Sequence, residues 1–156
     1  MDVEHQWLAH EHVNWQTGEP DRALHYSRPD KARHCSAFTA AVGYRLGVYI
    51  LRHPEHPQQF LASAQGEWLA SQAGRDAGWT AIDCPARALH LANMGAFVVV
   101  DYISPNPHTP EHIAIIRLSG ETAAELAEEG PDVTQAGASN YTRRIAAKAF
   151  AHHPGI

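Results

Sequence analysis

Cys35 lies at the boundary between a loop-like segment and a helix-like one. Residues 27–34 are polar and include Pro29, whereas apolar side chains recur at helical spacing from Ser36 onward. This pattern predicts that Cys35 sits at a helix N-terminus, where unpaired backbone N–H groups and the positive end of the helix dipole favour a thiolate. A thiolate there is a nucleophile at neutral pH if a histidine stands beside it.

The histidine and the group that orients it are predicted on strands that follow the helix. A cysteine hydrolase needs a base that accepts and returns a proton, and a polar group that fixes the tautomer of that base. His112 begins a predicted strand and is the candidate base. Gln135, on the next predicted strand, is the candidate orienting residue because an amide oxygen can accept the ring N–H. Asn140 competes with Gln135 for that role.

The chain predicts helices first and antiparallel strands after them. The predicted elements are helices over 36–46, 58–72 and 86–93, strands over 96–103, 112–118 and 132–137, and a last helix over 142–151. Gly47 is the predicted stop of the first helix. The connection between the first two strands is too short for a crossover helix, so we expect them to pair antiparallel. The expected fold is α+β, with the Cys35 helix packed on an antiparallel sheet so that the helix start and the second strand face one cleft.

Length and composition favour a single domain over residues 1–156. With 156 residues and 44% apolar content, the chain is long enough to bury a core without disulfides. Residues 1–34 are predicted to form a wrap-around arm, and residues 35–156 the catalytic core. Cys35 and Cys84 lie in different contexts, and both are interpreted as free thiols.

Charge and hydropathy limit the classes of partner. The net charge of −5 includes no basic run, which argues against a nucleic-acid binder and against a polybasic membrane anchor. The sequence contains no apolar stretch of about 18 residues and no signal-peptide pattern at its start, so we expect a soluble protein, or one exported by a signal-less route.

Twelve histidines invite a metal interpretation. The candidates are His5, His10, His12, His152 and His153. A metal site needs about three converging ligands with supporting contacts, and a His-x-His pair in a polar arm usually binds metal only adventitiously. The sequence therefore predicts no metal and no other cofactor.

Four short motifs resemble those of the papain-like cell-wall peptidases of the NlpC type, which are close relatives of the CHAP amidases. They are residues 34–38 (His-Cys-Ser-Ala-Phe), 95–99 (Gly-Ala-Phe-Val-Val), 111–115 (Glu-His-Ile-Ala-Ile) and 133–136 (Val-Thr-Gln-Ala). The corresponding family motifs are Asp-Cys-Ser-Gly-Phe, Gly-Asp-Leu-Val-Phe, Gly-His-Val-Gly-Ile and a segment with the third polar residue. The chain departs from them at His34, Ala37 and Glu111.

The resemblance implies a papain-like fold and a cysteine peptidase or amidase that acts on peptidoglycan stem peptides, at a bond involving D-glutamate and diaminopimelate. It also makes Tyr26 a candidate donor near the oxyanion, and it places Ser36 and Glu111 beside the substrate. Glu111 replaces a glycine, and we expect it to narrow the mouth of the cleft or to raise the pKa of His112.

Two other functions stay open on the sequence. An acyltransferase of the same superfamily would form the same thioester and pass the acyl group to an amine or a lipid. A catalytically silent binding module would keep Cys35 and His112 only as remnants. A wall hydrolase without a signal peptide would also suit an effector injected into rival bacteria.

Overall fold

The computed structural model describes residues 14, 16, 35–56, 61–105, 111–137 and 139–151. The arm predicted over 1–34 lies outside these residues except for two positions. The five histidines considered as metal ligands also lie outside them. Within the described ranges, no helix has the length and apolar character needed to cross a membrane.

Helices precede and flank one antiparallel sheet. In chain order the elements are α1 (Cys35–Leu46), α2 (Leu61–Ala70), α3 (Gln72–Asp76), α4 (Pro85–Asn93), β1 (Val99–Tyr102), β2 (His112–Ile116), α5 (Ala123–Glu129), β3 (Asp132–Gln135), β4 (Tyr141–Ile145) and α6 (Ala146–Ala149). The four strands are ordered β1-β2-β3-β4, and each neighbouring pair is antiparallel. The predicted α+β class and the antiparallel pairing of β1 with β2 are confirmed.

Helices pack on both faces of the sheet. Successive residues of β2 point to opposite faces, so the strand contributes to both of these packing layers. Ile113 and Ile115 belong to the apolar clusters that α1 forms with the sheet. Ala114 and Ile116 belong to the cluster that contains residues of α4 and Phe150. Strand β2 is therefore buried on both sides, as its near-continuous apolar sequence indicates.

Small residues let α1 pack closely against the sheet and against the segment that follows the helix. Ala37 and Ala40 are completely buried, and a Cβ added at Gly43 would come within 2.9 Å of the carbonyl oxygen of Val48. The helix ends at Gly47, whose φ of 72° is a left-handed value that glycine adopts readily. The stop predicted at Gly47 is thus confirmed, and α1 begins at Cys35 as expected.

The last predicted helix, over 142–151, is wrong for its first half. Residues Tyr141–Ile145 form β4, and only Ala146–Ala149 are helical. Strand β4 pairs with β3 through Asp132 opposite Ile145 and Val133 opposite Arg144. This long-range pairing, together with the aromatic and β-branched residues of the segment, outweighs its weak helical pattern.

Two helices differ from the sequence prediction because of caps. The helix expected over 58–72 is interrupted at Ser71, whose hydroxyl accepts a hydrogen bond from Gly74 N at 3.3 Å and begins α3. The acidic stretch 121–129, for which no element is predicted, contains α5. Thr122 and Glu125 form a reciprocal capping box at its start, a signal that the sequence carries as Thr-x-x-Glu.

Candidate active site

Helix α1 and the neighbouring strands β2 and β3 place the predicted catalytic residues at one end of the sheet. Cys35 is the first residue of α1, which packs on β2. His112 is the first residue of β2, and Gln135 is the last residue of β3, the neighbouring strand. Because β2 and β3 are antiparallel, the start of one lies beside the end of the other.

The first turn of α1 is held by a buried amide. Gln65, which is completely buried on α2, donates its side-chain N–H groups to the carbonyl oxygens of Ser36 at 3.2 Å and Leu51 at 2.8 Å. The hydroxyl of Thr39 also donates to the Cys35 carbonyl at 2.9 Å. These bonds fix the helix end that carries the nucleophile.

The Cys35 thiol is buried, with 5% of its surface exposed, and it shares a hydrogen bond with the His112 ring. Burial alone raises the pKa of the thiol because it disfavours the charged form. The hydrogen bond and the positive charge of His112, together with the backbone N–H groups of Ile113 and Ser36, act in the opposite direction and prevail. The pKa of Cys35 is therefore lowered.

The pKa of His112 moves in the complementary direction. Burial lowers it, but the hydrogen bond to Cys35, the charge of the thiolate and the hydrogen bond to Gln135 together raise it. A thiol with a lowered pKa beside an imidazole with a raised pKa favours transfer of the proton from sulfur to nitrogen. Both shifts act toward a thiolate–imidazolium pair.

Gln135 fixes the orientation of the His112 ring. Its Oε1 lies 2.5 Å from His112 Nε2, and its Nε2 donates to the carbonyl of Ser139 at 3.3 Å. The second bond determines which end of the amide faces the ring, so His112 Nε2 is the donor to Gln135. The other ring nitrogen, Nδ1, is left for the sulfur. Asn140, the competing candidate, instead accepts from the Gly137 backbone N–H at 2.9 Å.

The other predicted site residues have different outcomes. Tyr26 lies outside the described residues, so its expected role at the oxyanion stays a prediction. Ser36 is 4% exposed and contributes its backbone N–H to the sulfur. Glu111 directly precedes His112, and its Oε2 is buried without a hydrogen-bond partner. Glu111 is not among the groups that raise the pKa of His112.

Glu111 instead affects the pKa of Asp101. Asp101 is not among the site residues predicted from the sequence. Asp101 pairs with Ile113 across β1 and β2, and Glu111 is two residues before Ile113, so both carboxyls project from the same face of the sheet. Burial raises the pKa of Asp101, and the charge of Glu111 raises it further. This acidic pair adjoins the β2 residue that contacts Cys35.

Asp101→Asn is expected to raise the melting temperature at pH 7. A carboxyl whose pKa is raised by folding carries no penalty below its unfolded pKa of about 3.9, where it is protonated in both states. Stability falls as the pH rises from the unfolded pKa to the raised folded pKa, because the unfolded chain ionises there while burial and Glu111 still disfavour ionisation of the folded carboxyl. The gain in melting temperature should therefore shrink between pH 7 and pH 4. The exposed Glu128→Gln substitution on α5 is the control, and an equal gain at both pH values would contradict the prediction.

Two further residues escape the sequence patterns. Phe150, immediately after α6, places its ring centroid 4.8 Å from that of His112. Nothing local relates it to β2, because their contact depends on the fold of β3 and β4. Gln65 does leave a signal: it lies four residues after Leu61, on the apolar face of the predicted helix, where a polar side chain needs internal partners.

The arrangement can generate a nucleophile and move a proton. In the part of the chain that the structure describes, no group of three or more His, Cys, Asp or Glu side chains converges as metal ligands would. No family model matches the chain, and no curated protein or solved structure matches it either. Function is therefore inferred from the site itself, supported by the resemblance of its motifs.

Proposed function

We propose that this protein is a cysteine hydrolase that cleaves an amide bond through a thioester acyl-enzyme. The observation that carries the proposal is the continuous hydrogen-bonded series from the Cys35 thiol through the His112 ring to the Gln135 amide. A cysteine with only a structural role needs neither a histidine partner nor a group that fixes the tautomer of that histidine.

Acylation uses the thiolate and the imidazolium together. The Cys35 sulfur attacks the amide carbonyl carbon and forms a C–S bond, and the negative charge moves to the carbonyl oxygen. The backbone N–H of Cys35, in the first turn of α1, has no intrahelical acceptor and is the proposed donor to this oxyanion. His112 then gives its proton to the amide nitrogen, the C–N bond breaks, and the amine leaves.

Deacylation restores the pair. Neutral His112 takes a proton from a water molecule, and the resulting hydroxide attacks the thioester carbonyl. The C–S bond breaks, the acid product leaves, and the sulfur departs as a thiolate beside the protonated ring. Gln135 Oε1 accepts a hydrogen bond from His112 Nε2–H throughout, so the other ring nitrogen stays toward the sulfur.

Peptidoglycan stem peptides are the proposed substrate, cut at a bond involving D-glutamate and diaminopimelate. The support is the resemblance of residues 34–38, 95–99, 111–115 and 133–136 to the NlpC-type motifs. The α1-on-sheet packing and the antiparallel pairing of β1 with β2 agree with the papain-like fold proposed with it.

Digestion of purified muropeptides tests this proposal. The wild-type protein and Cys35→Ala are incubated with muropeptides, and the products are weighed by mass spectrometry. The proposal expects two fragments whose summed mass exceeds the substrate by one water, with the wild type only. In a parallel digest that contains an added amine, products that carry this amine in place of water would indicate an acyltransferase. Identical fragments from both proteins would overturn the covalent mechanism, and intact muropeptides with the wild type would overturn the substrate.

A further inference from the structure

An aromatic side chain covers the ring of His112. Phe150 is 2% exposed, and its ring lies with its centroid 4.8 Å from the His112 ring at an interplanar angle of 57°. The backbone of this segment is anchored at both ends, because Ala146 N donates to Pro131 O at 3.0 Å and Phe150 N donates to Ala146 O at 2.9 Å. These two backbone hydrogen bonds hold the segment that places the Phe150 ring against His112.

Among the described residues, Gln135, Cys35 and Phe150 all contact the His112 ring. One ring nitrogen bonds to Gln135 Oε1, the thiol of Cys35 shares a second hydrogen bond with the ring, and Phe150 packs on it. A hydrogen bond away from water is electrostatically stronger than the same bond in water, because water no longer competes for its donor and acceptor. A flat apolar side chain at this position both excludes water and restricts rotation of the ring.

We propose that Phe150 is a positioning residue that keeps His112 in register between Cys35 and Gln135 by shielding the Nε2 bond from water. This inference rests on the proposed cysteine-hydrolase function, for which it supplies a support that neither the motifs nor the triad contain. Phe150 acts through the orientation of the imidazole.

A role in core filling alone makes a different prediction. Phe150 belongs to an apolar cluster that also includes Val98 and Tyr102, so its truncation must lower stability in either case. Only a positioning role also changes the chemistry of the sulfur. When the shield is removed, water competes for the Nε2 proton and the ring turns away from Cys35. The thiolate then loses stabilisation, and the pKa of Cys35 rises.

The test follows the rate of Cys35 alkylation by iodoacetamide against pH. Cys84 is exposed, so every protein carries Cys84→Ser to leave one reactive thiol. We expect Phe150→Ala to move the midpoint upward by about half a pH unit or more relative to its parent. Phe150→Leu, which keeps part of the apolar cover, should move it in the same direction by less. If Phe150→Ala does not fold, the shift measured with Phe150→Leu tests the proposal.

Val98→Ala is the matched control because it truncates another side chain of the same buried cluster. It should lower the melting temperature and leave the midpoint unchanged. Midpoints for both Phe150 variants equal to that of Val98→Ala would overturn the positioning role while leaving the proposed function intact. A parent protein whose own midpoint lies at about 8.5, the ordinary value for cysteine, would instead overturn the proposed function.

Discussion

Replacement of Cys35 by alanine is expected to abolish amide hydrolysis while the protein stays folded. The substitution removes the only atom that forms the acyl bond, and loss of the nucleophile in a comparable triad costs on the order of 10⁶-fold in kcat. Alanine retains the small apolar volume of the buried site, so α1 should still pack against Ile113. Steady-state rates on muropeptides, together with a thermal unfolding curve, measure both effects.

Cys84→Ser is the matched control for this variant. Cys84 is the other free cysteine of the chain, and it is exposed at the start of α4, in a different part of the sequence from the site. We expect full activity from Cys84→Ser. Hydrolysis that survives in Cys35→Ala but disappears in Cys84→Ser would show that Cys84, and not Cys35, is the nucleophile.

His112→Ala is expected to have the second largest effect, a loss of about 10²- to 10⁴-fold in kcat, which is typical for removal of a general acid–base group. The variant loses the proton donor to the leaving amine. It also leaves Cys35 buried without its partner, so the pKa of the thiol should rise rather than stay lowered. The pH dependence of kcat/KM measures both consequences, because the acidic limb should move to higher pH.

The wild-type profile should be bell-shaped, with the direction of each limb set by the pair. Activity rises as Cys35 loses its proton, at a pH below the ordinary thiol pKa of about 8.5, and falls as His112 loses its proton, at a pH above the ordinary imidazole pKa of about 6.5.

Gln135→Ala should lower kcat by less than His112→Ala, because the ring remains and only its orientation is relaxed. A Gln135→Ala effect equal to that of His112→Ala would mean that the amide does more than orient the ring.

Local patterns were sufficient for the elements that carry the site. Apolar spacing and Gly47 predicted α1, and two β-branched runs with a short connection predicted the antiparallel pair β1–β2. The placement of Cys35 at a helix start and of His112 at a strand start followed from these predictions, and Gln135 was predicted on the strand after them. The structure brings the three side chains together.

The features that sequence reasoning missed depend on distant contacts. Strand β4 exists because residues 141–145 find β3 as a partner, which no window of local sequence reports. The contact between Phe150 and His112 depends in turn on that pairing. The capping box of Thr122 and Glu125, in contrast, was available locally and identifies α5 without any tertiary information.

The pH dependence of Cys35 alkylation in the Cys84→Ser protein tests the thiolate–imidazolium pair most directly, because it needs no substrate. The account predicts a midpoint below the ordinary cysteine value of about 8.5, and a higher midpoint once His112 is replaced by alanine. A midpoint at or above 8.5 in the parent protein, unchanged in the His112 variant, would contradict it.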